Sequence, residues 1–504
     1  MFFKSNPLKP KTMKKTLSAL LILLTLTAYS QEHNEEERYV PETDPLVLEK
    51  LEEWQGKKFG LLMHWGAYSQ WGIVESWSLS PEEYEWCERK KGKNPQDYFA
   101  YKKEYEDLKN TFNPIHFNPD KWAKAAKRAG MKYVVFTTKH HDGFTMFDSK
   151  HTDYKITDSG TPFSSNPRSN ITKEIFESFR REGLWAGAYF SKPDWHSEHY
   201  WDPYYPPKDR NVNYSPEENP EKWNKFIDFT HNQIMELMTD YGKVDILWLD
   251  GGWVAKTPKG EIRDWYRKTV NNSEGGYLKH RIVNQDIRMD ELVVKAREKQ
   301  PGLIVVDRAV YGKNQNYLTP ENRIPEKTLP YPWESCIISG GGWSSTPNAK
   351  YMSGRKGIQT LVDIVAKGGN LLLNIAPGPD GRWQQGAYDL LKEFEDWMAI
   401  NNTAIYDTKP IAPFKENNVC MTQDKNGNVF LFYMAEEGEN TIPSTITVNS
   451  INPEKGAKIQ LLGSKKNLKW KKNEKGFTVF VPKKLRTNSP SKYVWTFKVS
   501  SVER

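Results

Sequence analysis

Asp250 ends the apolar stretch ILWLD, which is entered from Gly242 and followed by Gly251, Gly252 and Trp253. Three other apolar runs end in groups of comparable chemistry: His64 and Trp65; Lys139, His140, His141 and Asp142; and Tyr189, followed by Asp194, Trp195 and His196. A single polar residue at the end of an apolar run says little. Several, brought from different runs to one mouth, are what a barrel active site requires. Two chemistries use such a set. Histidines and an aspartate can hold a catalytic metal, but barrel metallohydrolases usually open with an HxH pair, and here His64 is followed by Trp65 and Gly66. Alternatively, histidines hydrogen-bond sugar hydroxyls, tryptophans such as Trp248 cover the apolar face of the ring, and two carboxylates break a glycosidic bond. That second reading needs a partner for Asp250.

The elements that would position these groups follow from patterning. Short runs rich in Val, Ile, Leu and aromatics, bounded by glycine, read as strands buried on both faces. They fall at Lys58–Gly66, Tyr133–Thr137, Leu184–Tyr189, Gly242–Trp253, Leu303–Val306, Trp333–Ile338 and Asn370–Ile375. Between them a unit repeats. Asn118-Pro119, Asn170 and Asn219-Pro220 open helices with apolar residues at helical spacing, and Gly130, Gly183 and Gly242 close them before the next strand. Helix, glycine, buried strand, polar tip is α/β order, and its repetition predicts a (β/α)8-type, TIM-like barrel over residues 46–405. In that fold Asp250 lies on the catalytic face and Asp245 towards the opposite one. No GxGxxG or Walker loop follows any strand, which argues against nucleotide binding. Segments Ser80–Asn110, read as a helical excursion, and Thr257–Asp290, read as an insertion, would shape the mouth. After a helix near Tyr388–Ile400 the texture changes. Asn418–Met434 sets an Asn-Gly turn between alternating runs, and further runs follow at Thr445–Val448, Phe477–Val481 and Val494–Val499, predicting an antiparallel β-sandwich over residues 406–504.

At the other end, Lys14 and Lys15 precede the apolar run Leu17–Leu26, and Ala28-Tyr29-Ser30 gives a small-x-small site, the pattern of a secretory signal peptide over residues 1–30, with Met13 a second candidate start. The run is short for a bilayer and no Cys follows it for lipid attachment, so export without a membrane anchor is expected. Residues 31–45 are polar and acidic and read as a flexible arm. The leader holds five Lys and no acid, so its removal takes the formal charge from +8 to +3, which is no nucleic-acid signature. Cys87, Cys336 and Cys420 are scattered and read as buried thiols.

The ordered stretches KFGLLMHWG, TTKHHDGF, GAYFSKPDWH and ILWLDGG resemble those of the exo-acting α-L-fucosidases of glycoside hydrolase family 29. The likeness continues through DRA at Asp307–Ala309, TPENRIPE from Thr319, PWESC from Pro332 and KGGNLLLNIAP from Lys367, covering roughly residues 50–405. The resemblance implies a fucosylated glycan as substrate, no metal or organic cofactor, and a retaining mechanism with Asp250 as nucleophile and a Glu as acid/base. It implies that His64, His140 and His141 hold the fucose hydroxyls beside Tyr189 and Trp248, that Arg308 lies near the nucleophile, and that Trp343 approaches the sugar methyl group. Among three candidate acids, Glu321 best matches the family position after a Thr-Pro pair; Glu334 is the alternative acid/base or an orienting group, and Glu326 reads as solvated. The resemblance also implies that Glu75 and Trp77 bind substrate, although many relatives place a Glu directly before a Trp after the HWG loop, whereas this chain reads Glu75-Ser76-Trp77. A related exo-glycosidase acting on a galactoside or another deoxysugar, and a carbohydrate-binding protein with a disabled barrel, remain the alternatives. The oligomeric state is not legible.

Overall fold

The computed structural model describes residues 39–272 and 281–503, so the candidate leader and most of the expected arm lie outside the described residues. Among the described residues ten α-helices and fifteen strands follow in chain order. The first part of the chain runs α1 (Pro45–Lys57), β1 (Phe59–Met63), α2 (Tyr98–Glu106), α3 (Pro119–Arg128), β2 (Tyr133–Lys139), α4 (Ile171–Arg181), β3 (Trp185–Ser191), α5 (Pro220–Asp240) and β4 (Ile246–Asp250). It continues with α6 (Lys259–Asn272), α7 (Met289–Lys299), β5 (Ile304–Asp307), β6 (Glu334–Ile338), α8 (Gly354–Ala366), β7 (Asn370–Asn374) and α9 (Gln385–Asn401). Strands β1 to β7 form one parallel sheet in the order β5-β4-β3-β2-β1-β7-β6. The expected strands are these seven, and residues of β1, β2 and β7 are buried on both faces, as continuous apolar runs require.

The sheet curls, and it departs from an eight-stranded ladder in one place. Between the edges β5 and β6 the chain supplies no regular strand; residues 315–321 cross the gap on isolated bridges, Gln315 to Val306, Leu318 to Trp333 and Glu321 to Cys336. The composition explains it. Pro320 within this stretch and Pro325, Pro330 and Pro332 after it, before β6, remove ladder donors, and Asn322 takes a left-handed φ of 51°.

The helix boundaries were largely written in single residues. Asn118 and Asn170 accept from the backbone N–H of Lys121 and Lys173 at 3.1 and 3.3 Å, whereas Asn219 opens α5 without such a bond. Gly130, Gly183 and Gly242 all hold left-handed φ of 71–93° just before a strand.

Helix α1 seals one end of the barrel. Trp54, fully buried, stacks on Tyr317 at 4.0 Å and 13°, and its carbonyl accepts from Asn370 Nδ2 at 2.8 Å. Trp54→Ala should therefore cost about 3–5 kcal/mol of stability, read from the midpoint of denaturant unfolding; a loss below about 1 kcal/mol would mean that α1 is dispensable to the barrel. Residues 39–44, expected as the end of a loose arm, are tied down instead. The Glu42 carboxylate accepts from Arg297 at 2.8 Å and from Asn316 at 2.9 Å, and the Tyr39 hydroxyl donates to the Asn316 carbonyl at 3.1 Å. These polar contacts leave no periodic apolar trace in the sequence.

The remainder of the chain forms β8 (Lys409–Glu416), β9 (Val419–Gln423), β10 (Val429–Met434), β11 (Thr445–Val448), β12 (Ile459–Leu461), β13 (Lys469–Lys472), β14 (Phe477–Phe480), α10 (Lys483–Thr487) and β15 (Val494–Val499). A five-stranded sheet, β12-β15-β10-β9-β8, and a three-stranded sheet, β11-β14-β13, enclose a core of their own that includes Met421, Leu431, Ile446, Phe477, Val479 and Trp495. The other face of the larger sheet turns Phe430 and Phe432 into the barrel's hydrophobic cluster, and Trp397 Nε1 of α9 donates to the Val494 carbonyl at 2.9 Å. Cys87, Cys336 and Cys420 are buried free thiols.

Candidate active site

All seven strands of the barrel point the same way, so their C-terminal ends share one mouth. His64 follows β1, His140 and His141 follow β2, Asp250 ends β4, Arg308 follows β5 and Asn374 ends β7. Tyr189 sits two residues before the end of β3, in register with Trp248 of β4, while Ser191 pairs with Asp250.

Asp250 is the best-held group of the set. Its Oδ2 accepts from the Tyr189 hydroxyl at 2.7 Å, and its Oδ1 accepts from Gly251 N at 2.8 Å and faces Arg308 Nη1 at 3.2 Å. A side chain on Gly251, which has φ 86°, would place its Cβ 2.3 Å from Pro193, so the turn that presents Asp250 has room only for glycine. Burial opposes ionisation of Asp250, but the Arg308 guanidinium, His141 and the Tyr189 hydroxyl together outweigh it and hold the carboxyl well below the usual carboxylate range.

The guanidinium of Arg308 also reaches the second carboxylate. Its Nη2 pairs with Glu321 Oε2 and its Nε donates to Thr319 Oγ1 at 3.2 Å. Glu321 accepts in addition from Trp343 Nε1 at 3.1 Å, and Trp343 lies over His64 with ring centroids 5.2 Å apart. One arginine thus spans Asp250 and Glu321, and Glu321, 38% exposed, faces the opening.

The histidines are neutral donors. Burial lowers His64 to about 4 and His141 to about 3, and pushes His140 well below its ordinary range. His64 Nδ1 lies 3.1 Å from Asn374 Oδ1, and His140 Nδ1 lies 2.5 Å from Ser76 Oγ. His141 is fully buried, yet neither ring nitrogen has a hydrogen-bond partner. A buried ring with both nitrogens unpaired is costly unless a ligand completes it. Its Nε2 is 3.9 Å from Asp250 Oδ2, beyond hydrogen-bond length.

The Glu75-Ser76-Trp77 stretch sends its three side chains to three places. Trp77 sets its ring edge-on to His141 at 5.2 Å. Ser76 holds His140. Glu75, at φ 33° and 2% exposed, leaves Oε1 without a partner. Burial raises its carboxyl to about 8, against a backbone hydrogen bond from Ser344 and with the charges of Glu321 and Asp250 adding to the rise. The folded protein therefore retains a proton at Glu75 that the unfolded chain releases. By linkage this contribution to stability is present at low pH and fades as pH rises from the unfolded value near 4.5 towards 8. Glu75→Gln should remove that slope, so its melting temperature should gain on the parent between pH 5 and 8; parallel curves would show that Glu75 is ionised in the fold.

Glu334 is elsewhere. It begins β6, paired with Asn370 at the start of β7, fully buried beneath Trp248 and accepting from the Tyr133 hydroxyl. Burial raises it to about 7. It is a sealed group in the barrel interior, away from the opening that Glu321 faces, and Glu326 is exposed. Trp248 stacks on Tyr189 at 5.2 Å and 20°, with Arg308 over its ring at 5.3 Å. Buried ion pairs brace the strand ends, Lys192 to Asp307 at 2.5 Å and Lys139 to Asp194 at 3.0 Å.

Sequence reasoning missed Ser76, Asn374 and Thr319 as supports of the site. Asn374 carried the signal used for Asp250, a polar residue ending an apolar strand, whereas Ser76 and Thr319 carried none. The ligand atoms of His140, His141 and Asp250 lie within 4.8 Å of one another, a spacing compatible with a cation. However, Tyr189 and Arg308 already take the Asp250 oxygens, Ser76 takes His140 Nδ1, and a metal there would face the Arg308 charge. The donor set fits a sugar's hydroxyls better than an ion.

Comparison with known proteins gives the family of the chain. The family model for alpha-L-fucosidase matches residues 26–403, and that for the alpha-L-fucosidase C-terminal domain matches residues 414–500. Tissue alpha-L-fucosidase of Bos taurus is 29% identical over 490 residues, covering 92% of each chain, and that of Homo sapiens is 28% identical, covering 96% of this chain and 97% of its own. Among solved structures, alpha-L-fucosidase isoenzyme 1 from Paenibacillus thiaminolyticus superposes with a TM-score of 0.69 at 26% identity, over 91% of this chain and 100% of that one. An alpha-L-fucosidase of Bacteroides thetaiotaomicron gives 0.67 at 23% identity, over 91% and 96% of the two chains, a likeness of fold. With both of its domains matched and a two-carboxylate mouth lined by neutral histidines and aromatics, the chain belongs to the alpha-L-fucosidase family of glycoside hydrolases.

Proposed function

We infer that this protein removes terminal α-L-fucosyl residues from glycans by double displacement, with Asp250 as nucleophile and Glu321 as acid/base. The observation that carries the reading is the Arg308 bridge, which gathers two carboxylates, one from the end of β4 and one from the crossing between β5 and β6, to one point of the mouth. Asp250, held ionised, attacks the anomeric carbon as the bond to the leaving oxygen breaks, and Glu321 gives that oxygen a proton. Glu321 then takes a proton from water, the water oxygen attacks the same carbon, and Asp250 leaves. A retaining site needs its carboxyls on the order of 5 Å apart, too close for an intervening water, and one guanidinium touching both is consistent with that spacing. The unpaired nitrogens of His141, the Nε2 of His64 and His140, and the free Oε1 of Glu75 would serve the sugar hydroxyls, with Trp248, Trp343 and Trp77 on its apolar faces.

Hydrolysis of an aryl α-L-fucoside but not an aryl β-D-galactoside, with α-fucose as the first product seen by NMR, is the deciding measurement. Cleavage of the galactoside instead would move the reading to the related exo-glycosidase, binding without turnover to a disabled barrel, and activity lost on chelation and restored by a divalent ion to metal chemistry at His140, His141 and Asp250. Residues 1–30 we read as an export signal. No helix among the described residues is long and apolar enough to cross a membrane.

A further inference from the structure

Charge is distributed unevenly along this chain. Between Lys455 and Lys498 it carries thirteen Lys and Arg against one acid, Glu474, a net of +12 within a protein whose total is +8. Strand register decides where part of that charge goes. On the three-stranded sheet Lys469 lies beside Phe480 and Lys471 beside Thr478, while Phe480 and Thr478 lie beside Thr445 and Thr447 of β11. The alternate residues Phe477, Val479, Ile446 and Val448 face the sandwich core, so these six side chains share the outer face. Phe480 stands there 43% exposed.

The chain enters β13 through Lys465 and Lys466 and leaves β14 towards Lys483 and Lys484, at the end of the sheet where Lys469 meets Phe480. Among the described residues these four lysines, with Lys469 and Lys471, are exposed and make no ion pair, whereas Lys472 pairs with Glu503 at 2.9 Å. Lysine on an edge strand deters pairing with other chains. That role explains neither an aromatic ring on the sheet's face nor the lysines outside the strand. A largely polar face with one exposed ring, rimmed by uncompensated cations, suits a chain of sugar rings carrying anions, since the ring accepts an apolar sugar face and the ammonium groups meet the charges.

We propose that the outer face of β11, β14 and β13 binds anionic polysaccharide, separately from the mouth around Asp250. The test is binding of dextran sulfate to the full chain in the absence of any fucoside, against neutral dextran. Affinity should fall about tenfold when salt rises from about 0.1 to 0.3 M. The double variant Lys469→Glu/Lys471→Glu should lose about tenfold or more, and Phe480→Ala about three- to tenfold at every salt concentration. Lys124→Glu/Lys173→Glu, exposed on the barrel helices α3 and α4, should change little. Equal losses from the barrel pair, an unaffected Phe480→Ala variant, or equal binding of neutral dextran would overturn the proposal. Carboxymethyl dextran in place of dextran sulfate tells whether the anion's identity matters. Unchanged hydrolysis of an aryl fucoside reports that the variants are folded, and because binding is measured without turnover, its failure leaves the assignment of Asp250 and Glu321 untouched.

Discussion

Asp250→Gly is expected to lower kcat on an aryl α-L-fucoside by on the order of 10⁴-fold or more, the usual consequence of removing a catalytic nucleophile. The fold should survive, because the carboxylate ends β4 at the mouth, 18% exposed, and its partners are the polar groups of Tyr189, Gly251 and Arg308. What the variant leaves is informative. Arg308 remains paired with Glu321, and in the proposed mechanism the anomeric carbon would face the space vacated between Tyr189 and Gly251. Azide, small and anionic, should enter that space and restore part of the rate, giving fucosyl azide of β configuration, since it attacks from the face Asp250 used. A variant that keeps more than about a tenth of the parent activity would show that another group is the nucleophile.

Glu321→Ala should produce a different signature. A fucoside with a poor leaving group needs the proton from Glu321, so its kcat/KM should fall by about 10²–10⁴-fold. An activated aryl fucoside needs no such help, and its kcat/KM should change far less, while its kcat drops because water is no longer deprotonated in the second step. The local cost in stability is small, since Glu321 is 38% exposed and its partners Arg308 and Trp343 have other contacts. Glu334→Gln, in contrast, disturbs a fully buried group held by Tyr133 and should weaken folding without selecting between leaving groups. Leaving-group selectivity in that variant instead would reassign the acid/base to Glu334.

The linkage profile of Glu75 bears on both experiments. Asp142, fully enclosed with the Tyr105 hydroxyl at 2.9 Å, is raised to about 7 by burial, and Glu334 behaves alike. Each withholds a proton that the unfolded chain gives up, so the stability these groups contribute should fall as pH rises from their unfolded values near 4 towards 7 for Asp142 and Glu334 and 8 for Glu75. Rates of the Asp250 and Glu321 variants are therefore best compared at one pH, with melting temperatures measured beside them.

The sequence by itself determined the seven strands, the helices that Asn118 and Asn170 cap, and the groups at the strand tips. These are local properties: a run of apolar residues between glycines has one economical home, a buried parallel strand, and parallel strands share a catalytic end. Asp250, His64, His140 and His141 were legible for that reason. Three things depended on chain segments far apart. The eighth position of the barrel is filled by a proline-broken crossing rather than a strand, because residues 315–321 can pair only at the points that Pro320 and Asn322 allow. The choice between Glu321 and Glu334 lies in which end of the barrel each reaches, and both follow similar Pro-rich stretches, so no local pattern separates them; β6 buries one at its start while Arg308 draws the other to the mouth. The state of each titrating group, Asp250 ionised and Glu75 protonated, follows from burial and from which charges come near, and only the folded chain sets those distances.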